Sequence, residues 1–240
     1  MFRKLVSFIV VGALSAPAFA AIAVNVTSYP SQSAITSWPL PYTDTITAGG
    51  NPAPYSQVEN NYGGASLYSL AQSWTATASG PLSHVQIVIT GTAPVSFNIN
   101  LYDAGTSGWA DIGTGTYNPG VNVSANLLDT TSQLTWTGYN VPGDSAAVLD
   151  FALSGADQVA IQAGNRYIFE IASTTNPNGM IWFRNGASGA NYTGGQAFRQ
   201  RSPLNGNAAR DMTLAVTLVP EPATIGLLGL GALALLRRKR

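Results

Sequence analysis

The sequence predicts an all-β fold, namely an antiparallel jelly-roll-like β-sandwich with an N-terminal signal peptide and a C-terminal single hydrophobic helix. Apolar and polar residues alternate with a period of two in several short segments, which is typical of strands with one buried face. Glycine-rich turns separate these segments, and no stretch between Ala21 and Val219 has helical periodicity. About nine or ten strands of this kind favour two sheets packed face to face.

The clearest alternation lies in residues 95–102, where Val95, Phe97, Ile99 and Leu101 are expected to point inward. Residues 82–90, 166–172 and 211–218 alternate in the same way. The residues expected on the outward faces of 82–90 and 211–218 are His84, Gln86, Val88, Thr213, Ala215 and Thr217. Further strands are predicted at residues 73–77, 134–139, 147–153, 158–162 and 180–184, a turn at 91–94, and short edge strands with loops in the proline-rich residues 21–61.

The N-terminal residues 1–20 have the pattern of a signal peptide. Arg3 and Lys4 form a cationic start, residues 5–14 are mainly apolar, and Ala18 and Ala20 match the small-residue rule for signal peptidase. Cleavage is therefore expected after Ala20. A retained anchor is the alternative, but the apolar run is short for a membrane span.

The C-terminal residues 219–240 combine a motif, an apolar run and a basic end. The motif is Pro220, Glu221 and Pro222, in which two prolines favour an extended backbone. The uncharged run at 223–236 has fourteen residues, and a helix of that length is ~21 Å long against a hydrocarbon core of ~30 Å. Val219 and snorkelling arginines bring it nearer to a span. The basic end, which we expect on the cytoplasmic side, consists of Arg237, Arg238, Lys239 and Arg240.

Two interpretations of this apolar run stay open. Gly226, Gly229 and Gly231 would allow a second helix to approach closely, or the helix has no partner. A buried core helix is a third alternative, against which the abrupt basic end argues.

The motif, the apolar run and the arginine-rich end together resemble the PEP-CTERM sorting signal. The resemblance covers residues 219–240 and implies a substrate of exosortase, a membrane-embedded processing enzyme of Gram-negative bacteria. It further implies export past signal peptidase, transient anchoring in the inner membrane, cleavage near Pro220, and transfer to the cell surface or medium. The family often accompanies exopolysaccharide and biofilm genes.

The exported middle region, residues 21–218, is mildly acidic. It has no lysine, five arginines and ten acidic residues, so its charge is near −5. A nucleic-acid partner is not expected, because such proteins need cationic contacts to phosphate. Cysteine is absent from the chain, which excludes disulfides, thiol nucleophiles and thiolate metal sites.

No catalytic set stands out in the middle region. His84 is the single histidine, no G-x-S-x-G elbow is present, and His84 is expected to be a solvated residue on an outward face. Paired carboxylates for glycoside cleavage are conceivable, but no spacing marks a pair. The chain is therefore predicted not to be an enzyme, with a polysaccharide-active hydrolase as the alternative.

Metal and cofactor sites are equally weakly indicated. One histidine and no cysteine argue against zinc and copper, so no cofactor is predicted. Structural calcium is possible because Asp103 and Asp111 bracket a glycine-rich loop, but no EF-hand spacing occurs, and aspartate is common in turns for structural reasons.

Polysaccharide binding is the third chemistry considered. Aromatic faces bind sugars through apolar contact, and nearby amides hold the hydroxyls. The candidate residues are Trp109, Asn191, Tyr192 and Gln196, with Trp38, Arg199 and Arg201 as further possibilities. Trp74, Trp136 and Trp182 lie in predicted strands and are expected in the core.

The middle region also resembles carbohydrate-binding-module-like sandwiches of bacterial surface proteins, through residues 71–76, 95–105, 163–170 and 211–216. This resemblance supports the fold more than a ligand. The sequence therefore favours a noncatalytic surface or extracellular-matrix protein with a structural, adhesive or polysaccharide-binding role. Self-assembly through a low-charge edge strand is a further hypothesis.

Overall fold

The structure is a computed structural model in which more than half of the described residues lie in β-strands. It describes residues 21–46, 57–60, 62–63, 66–67, 69–90, 95–106, 116–128, 134–136, 146–173, 181–184, 192, 194–204 and 211–219. The strands in these residues are β1 (Ala21–Tyr29), β2 (Asp44–Ile46), β3 (Gln57–Asn60), β4 (Tyr62–Gly63), β5 (Ser66–Leu67), β6 (Ser69–Thr75), β7 (Gly80–Thr90), β8 (Val95–Gly105), β9 (Leu134–Trp136), β10 (Ala146–Ser154), β11 (Ala160–Ile161), β12 (Arg166–Ser173), β13 (Ile181–Arg184), β14 (Ala197–Arg199), β15 (Ser202–Pro203) and β16 (Leu214–Leu218). Single 3-10 turns occur at Gln32–Ala34 and Gly155–Asp157.

The larger sheet is built around β7. Its order is β1-β10-β7-β13-β3, and all its pairs are antiparallel. β16 pairs with β7 on one side and with β2 on the other, and β11 pairs with the start of β7. β1 therefore forms one edge of this sheet, and β16 lies inside it.

The smaller sheet has the order β15-β14-β6-β12-β8-β9, again antiparallel throughout. β7 and β8 follow one another in the chain but belong to different sheets, so their connection passes from one sheet to the other. A separate pair is formed by β4 and β5. These two sheets confirm the predicted all-β sandwich.

The core lies between the sheets and follows the period-two pattern of the sequence. Phe97, Ile99 and Leu101 of β8 are buried in it, as the alternation predicts. The rings of Phe97 and Phe151 meet edge to face, with centroids 5.9 Å apart, and join the smaller sheet to the larger one. The other inward positions of β7, β12 and the closing segment are confirmed as well, namely Val85, Ile87, Ile89, Tyr167, Phe169, Ile171, Met212, Leu214, Val216 and Leu218.

The outer face of each sheet is partly covered, which the sequence pattern does not predict. After β1 the chain folds back over the larger sheet, and Ile35 and Trp38 pack against Val88, Val148 and Ala215. Thr213, Val88 and Ala215, expected to point outward, are thus fully buried. Trp38 is 7% exposed and its Nε1 donates to Thr45 Oγ1 at 3.0 Å, so the suggestion of a sugar platform there is wrong.

Residues 116–128 cover the smaller sheet in a similar way. Tyr117 and Val123 pack against Tyr102, Ile168 and Phe198. The ring of Tyr117 meets that of Phe198 edge to face, with centroids 5.0 Å apart. Each sheet therefore buries apolar residues on both faces over part of its area.

Several boundaries differ from the prediction. β1 has nine residues where short edge strands were expected, because the prolines of this segment begin only at Pro30. β6 begins at Ser69 rather than Ser73. The predicted turn at 91–94 and residues 137–139 lie outside the described residues. Within the described part of the chain, no helix is long and apolar enough to span a membrane.

Candidate functional site

The exit of the chain towards residues 220–222 is fixed by three backbone contacts. Leu218 of β16 lies opposite Leu82 of β7. The N–H of Val219 donates to the carbonyl of Pro81 at 2.8 Å. A Cβ on Gly80 would lie 2.6 Å from the carbonyl oxygen of Val219, so only glycine allows this approach. Pro220, Glu221, Pro222 and the basic residues 237–240 lie outside the described residues.

A polar line crosses the outer face of the larger sheet over three neighbouring strands. Nδ1 of His84 donates to Asp150 Oδ1 at 2.9 Å, and Asn25 Nδ2 donates to Asp150 Oδ2 at 3.0 Å. His84 is on the outward face, as predicted, but it is paired rather than freely solvated, and 32% of its side chain is exposed. The carboxylate fixes the ring orientation and leaves the opposite ring nitrogen for other contacts.

A buried carboxylate lies on the outer face of the smaller sheet. Glu170 is fully buried and accepts hydrogen bonds from Tyr102 Oη at 2.7 Å, Asn100 Nδ2 at 3.0 Å and Arg201 Nε at 3.3 Å. Burial raises the pKa of Glu170, but hydrogen bonds from Tyr102 and Ser69 and the charge of Arg201 outweigh it, so the pKa lies below its usual range. Burial and the Glu170 charge raise the pKa of Tyr102 and of Tyr117.

Arg201 reaches this carboxylate from a strained turn. Gln200 and Arg201 connect β14 to β15 and have φ values of 52° and 64°, in the left-handed region that favours glycine. The carbonyl of Arg201 accepts from the N–H of Tyr117 at 3.1 Å. The turn thus ties the covering segment to the sheet, and its strain is offset by these contacts.

Asp211 is the third buried carboxylate of interest, at the entry to the closing strand. It accepts from the N–H of Tyr192 at 2.8 Å and from Gln72 Nε2 at 3.2 Å. Burial raises the pKa of Asp211 to about 6, against these two hydrogen bonds, which lower it. Gln72 Oε1 in turn accepts from the N–H of Met212 at 2.7 Å, so the network is part of the fold.

Two of the four residues predicted for sugar binding are described. The hydroxyl of Tyr192 accepts from the N–H of Thr75 at 3.2 Å, and its ring lies directly over Gly194. Gln196 is only 2% exposed, and its backbone pairs with Ser73. A surface contact to sugar hydroxyls does not fit a side chain so buried. Trp109 and Asn191 lie outside the described residues, so their role stays a prediction.

Of the remaining residues singled out in the sequence, some are described in the structure and others are not. Trp74 is fully buried, as predicted, whereas the side chains of Trp136 and Trp182 lie outside the description. Asp103 accepts from the N–H of Gly105 at 2.6 Å and from Asn165 Nδ2 at 3.1 Å, which is a turn-stabilising arrangement. Asp111 is outside the described residues, where calcium stays a prediction. In the described ranges no three acidic or histidine side chains cluster as metal ligands.

Sequence reasoning missed most of the polar contacts. The pairs Glu170–Arg201, Asp150–His84 and Asp211–Gln72 join residues that are far apart in the chain. The turn at Gln200 carries none of the residues that usually mark such a turn. The one available signal was that some of these acids lie in strands expected to be buried, where a carboxylate needs a hydrogen-bonding or charged partner.

Comparison with known proteins identifies one feature. Residues 218–240 match the PEP-CTERM protein-sorting motif. Comparison of the chain with curated proteins found no match. The motif indicates an exported protein that an exosortase-type system sorts in association with a membrane, with the cell surface or the outside as its destination.

Proposed function

We propose that the exported sandwich is a noncatalytic protein of the cell surface or extracellular matrix, with a structural, adhesive or polysaccharide-binding role. The observation that carries the proposal is that the matched sorting motif continues directly from β16, a strand of the core. Processing in the motif leaves the sandwich complete. The folded sandwich is therefore the part of the protein that sorting delivers.

The contacts of the described acids support a noncatalytic role. Glycoside cleavage needs two carboxyl groups that reach the same bond. Asp44, Asp103, Asp150, Glu170 and Asp211 each accept hydrogen bonds from groups of the fold. Asp211 has the raised pKa expected of a general acid, but it is fully buried and has no access to a substrate.

Polysaccharide binding is the specific role that we favour. Asn25, Asp150 and His84 lie on three adjacent strands and form a polar line on the outer face of the larger sheet. Amide, carboxylate and imidazole groups in such a line can hold successive sugar hydroxyls. Trp109, predicted in a glycine-rich loop, would add the aromatic platform.

Retention on polysaccharides tests the proposal. Residues 21–219 would be applied to glycan arrays and insoluble polymers, with Asn25→Ala and Trp109→Ala as variants. Thr36→Ala is the matched control, because Thr36 is an exposed residue of the segment that covers the sheet. Weaker retention of either variant, with the control unchanged, supports binding. No retention on any polymer leaves only a structural role.

The same incubations test the hydrolase alternative. Release of reducing ends that persists in the purified protein and is lost on substitution of one carboxylate would replace the proposal with the enzyme.

A further inference from the structure

The first and last described residues of the sandwich lie at the same end of the larger sheet. Ala21 of β1 pairs with Ser154 of β10. Two residues before Ser154 on β10, Ala152 pairs with His84 of β7. On the other side of β7, Thr217 pairs with His84, and Leu218 with Leu82. Ala21 and Val219 are therefore separated mainly across the sheet, by three strand spacings or about 14 Å.

Both predicted membrane segments join the chain at this end. The run matched by the sorting motif follows Val219, and the apolar run of the predicted signal peptide precedes Ala21. The hydrogen bond from Val219 to Pro81 holds the exit in place. Three motif residues separate Val219 from the apolar run, and three residues span at most about 10 Å.

The surface around this exit has a chemistry that suits a headgroup layer. We call it the proximal end and define it by residues 77–81, 158–163 and Val219. Its segments contact one another, since Ala160 pairs with Pro81 and the N–H of Ala163 donates to Ser79 Oγ. Its exposed residues are small or uncharged, namely Thr77, Ser79, Gln158, Ala160, Gln162, Ala163 and Val219. None of these exposed side chains is charged, and the carboxylate of Asp44, which accepts hydrogen bonds from Thr77, is only 7% exposed, so little charge faces anionic lipid.

We propose that the proximal end lies against the phospholipid headgroups in the anchored precursor, so that the strands stand away from the bilayer. The end that contains Tyr29 and Ala146 then points outward. The length of β1 places that far end about 27 Å further from the membrane. This orientation rests on the sorting motif and on the two fixed chain ends, and it is independent of polysaccharide binding.

Fluorescence quenching from lipid headgroups tests the orientation. The chain has no cysteine, so Ser79→Cys and Ser33→Cys each create a single labelling site. The two serines are a matched pair, because both are exposed and each hydroxyl has one hydrogen bond, to Ala163 and to Ser31. The labelled precursor without its predicted signal peptide, residues 21–240, would be reconstituted in phosphatidylethanolamine and phosphatidylglycerol liposomes that contain a headgroup quencher.

We expect several-fold stronger quenching of the label at position 79 than at position 33. The difference should vanish in detergent. It should also vanish when about twenty glycine and serine residues are inserted between Val219 and Pro220, because such a linker spans about 25 Å. Equal quenching of the two labels, or a difference that survives the insertion, overturns the proposal.

A precursor of residues 21–240 that does not float with the liposomes refutes the anchor and the orientation together. The polysaccharide-retention experiment is done without membrane. Its result therefore decides polysaccharide binding alone and leaves the membrane orientation unaffected.

Discussion

Asp211 makes the stability of the sandwich depend on pH in an unusual direction. Its pKa is raised to about 6 in the folded protein, against 3.8 for an ordinary aspartate. The folded state therefore holds the Asp211 proton more tightly than the unfolded state. Ionisation above pH 6 destabilises the fold, and protonation between pH 6 and 3.8 restores that stability. The difference of about two pKa units corresponds to about 3 kcal/mol.

The free energy of unfolding of residues 21–219 should therefore rise as the pH is lowered from 7 towards 5. Below pH 4.5 Glu170 should oppose this rise, because its pKa is lowered and its stabilising contacts are lost as it becomes protonated. Urea unfolding followed by tryptophan fluorescence measures both parts of the curve.

Asp211→Asn isolates the contribution of this residue. The variant should lose most of the rise between pH 7 and 5, whatever its absolute stability. Tyr192→Phe is the control, because it keeps the backbone N–H that donates to Asp211 and should keep the rise. If the stability of Asp211→Asn still rises with falling pH as it does in the natural sequence, the rise does not come from Asp211.

Five further substitutions, at four positions, test the packing and the buried contacts by the same urea assay. Gly195→Ala should cost about 3 kcal/mol or more, because its Cβ would lie 1.9 Å from the carbonyl oxygen of Ser73. Gly164→Asn should cost about 1 kcal/mol, since the site is open and only its φ of +86° is unfavourable, and equal losses would contradict the close approach at Gly195. Glu170→Ala should cost about 3 kcal/mol because it leaves buried donors without an acceptor, and Glu170→Gln should cost less; the reverse order would contradict the network. Phe97→Ala should cost about 3 to 5 kcal/mol, and a loss below 1 kcal/mol would argue against a shared core.

The strands and their inward residues were predictable because one face of each strand is buried against the opposite sheet. The alternation of Phe97, Ile99 and Leu101 follows directly from this geometry. The position of β16 at the end of the domain was predictable for the same reason.

The covered outer faces were not predictable from alternation. A period-two pattern separates two faces, but it does not say whether the second face meets water or another segment. Val88 and Ala215 are apolar on that second face, and Ile35 and Trp38 occur in a proline-rich segment without periodicity. These exceptions to the pattern were the available signal for a covering layer.

The polar networks were hidden for a different reason. Glu170 and Arg201 meet only because a hairpin with two left-handed residues turns the arginine back over the sheet. Neither Gln200 nor Arg201 favours that backbone conformation on its own. Local propensity therefore argues against the turn that the tertiary contacts stabilise.

The central place of β16 has a mechanical consequence for a surface protein. A tether attached beyond Val219 transmits traction along β16, parallel to the strands. The backbone bonds of β16 to both β7 and β2 lie across that direction. These hydrogen bonds are thus loaded together in shear rather than opened one after another. A force that pulls the outward end of the domain away from the tether is therefore resisted by all of them at once.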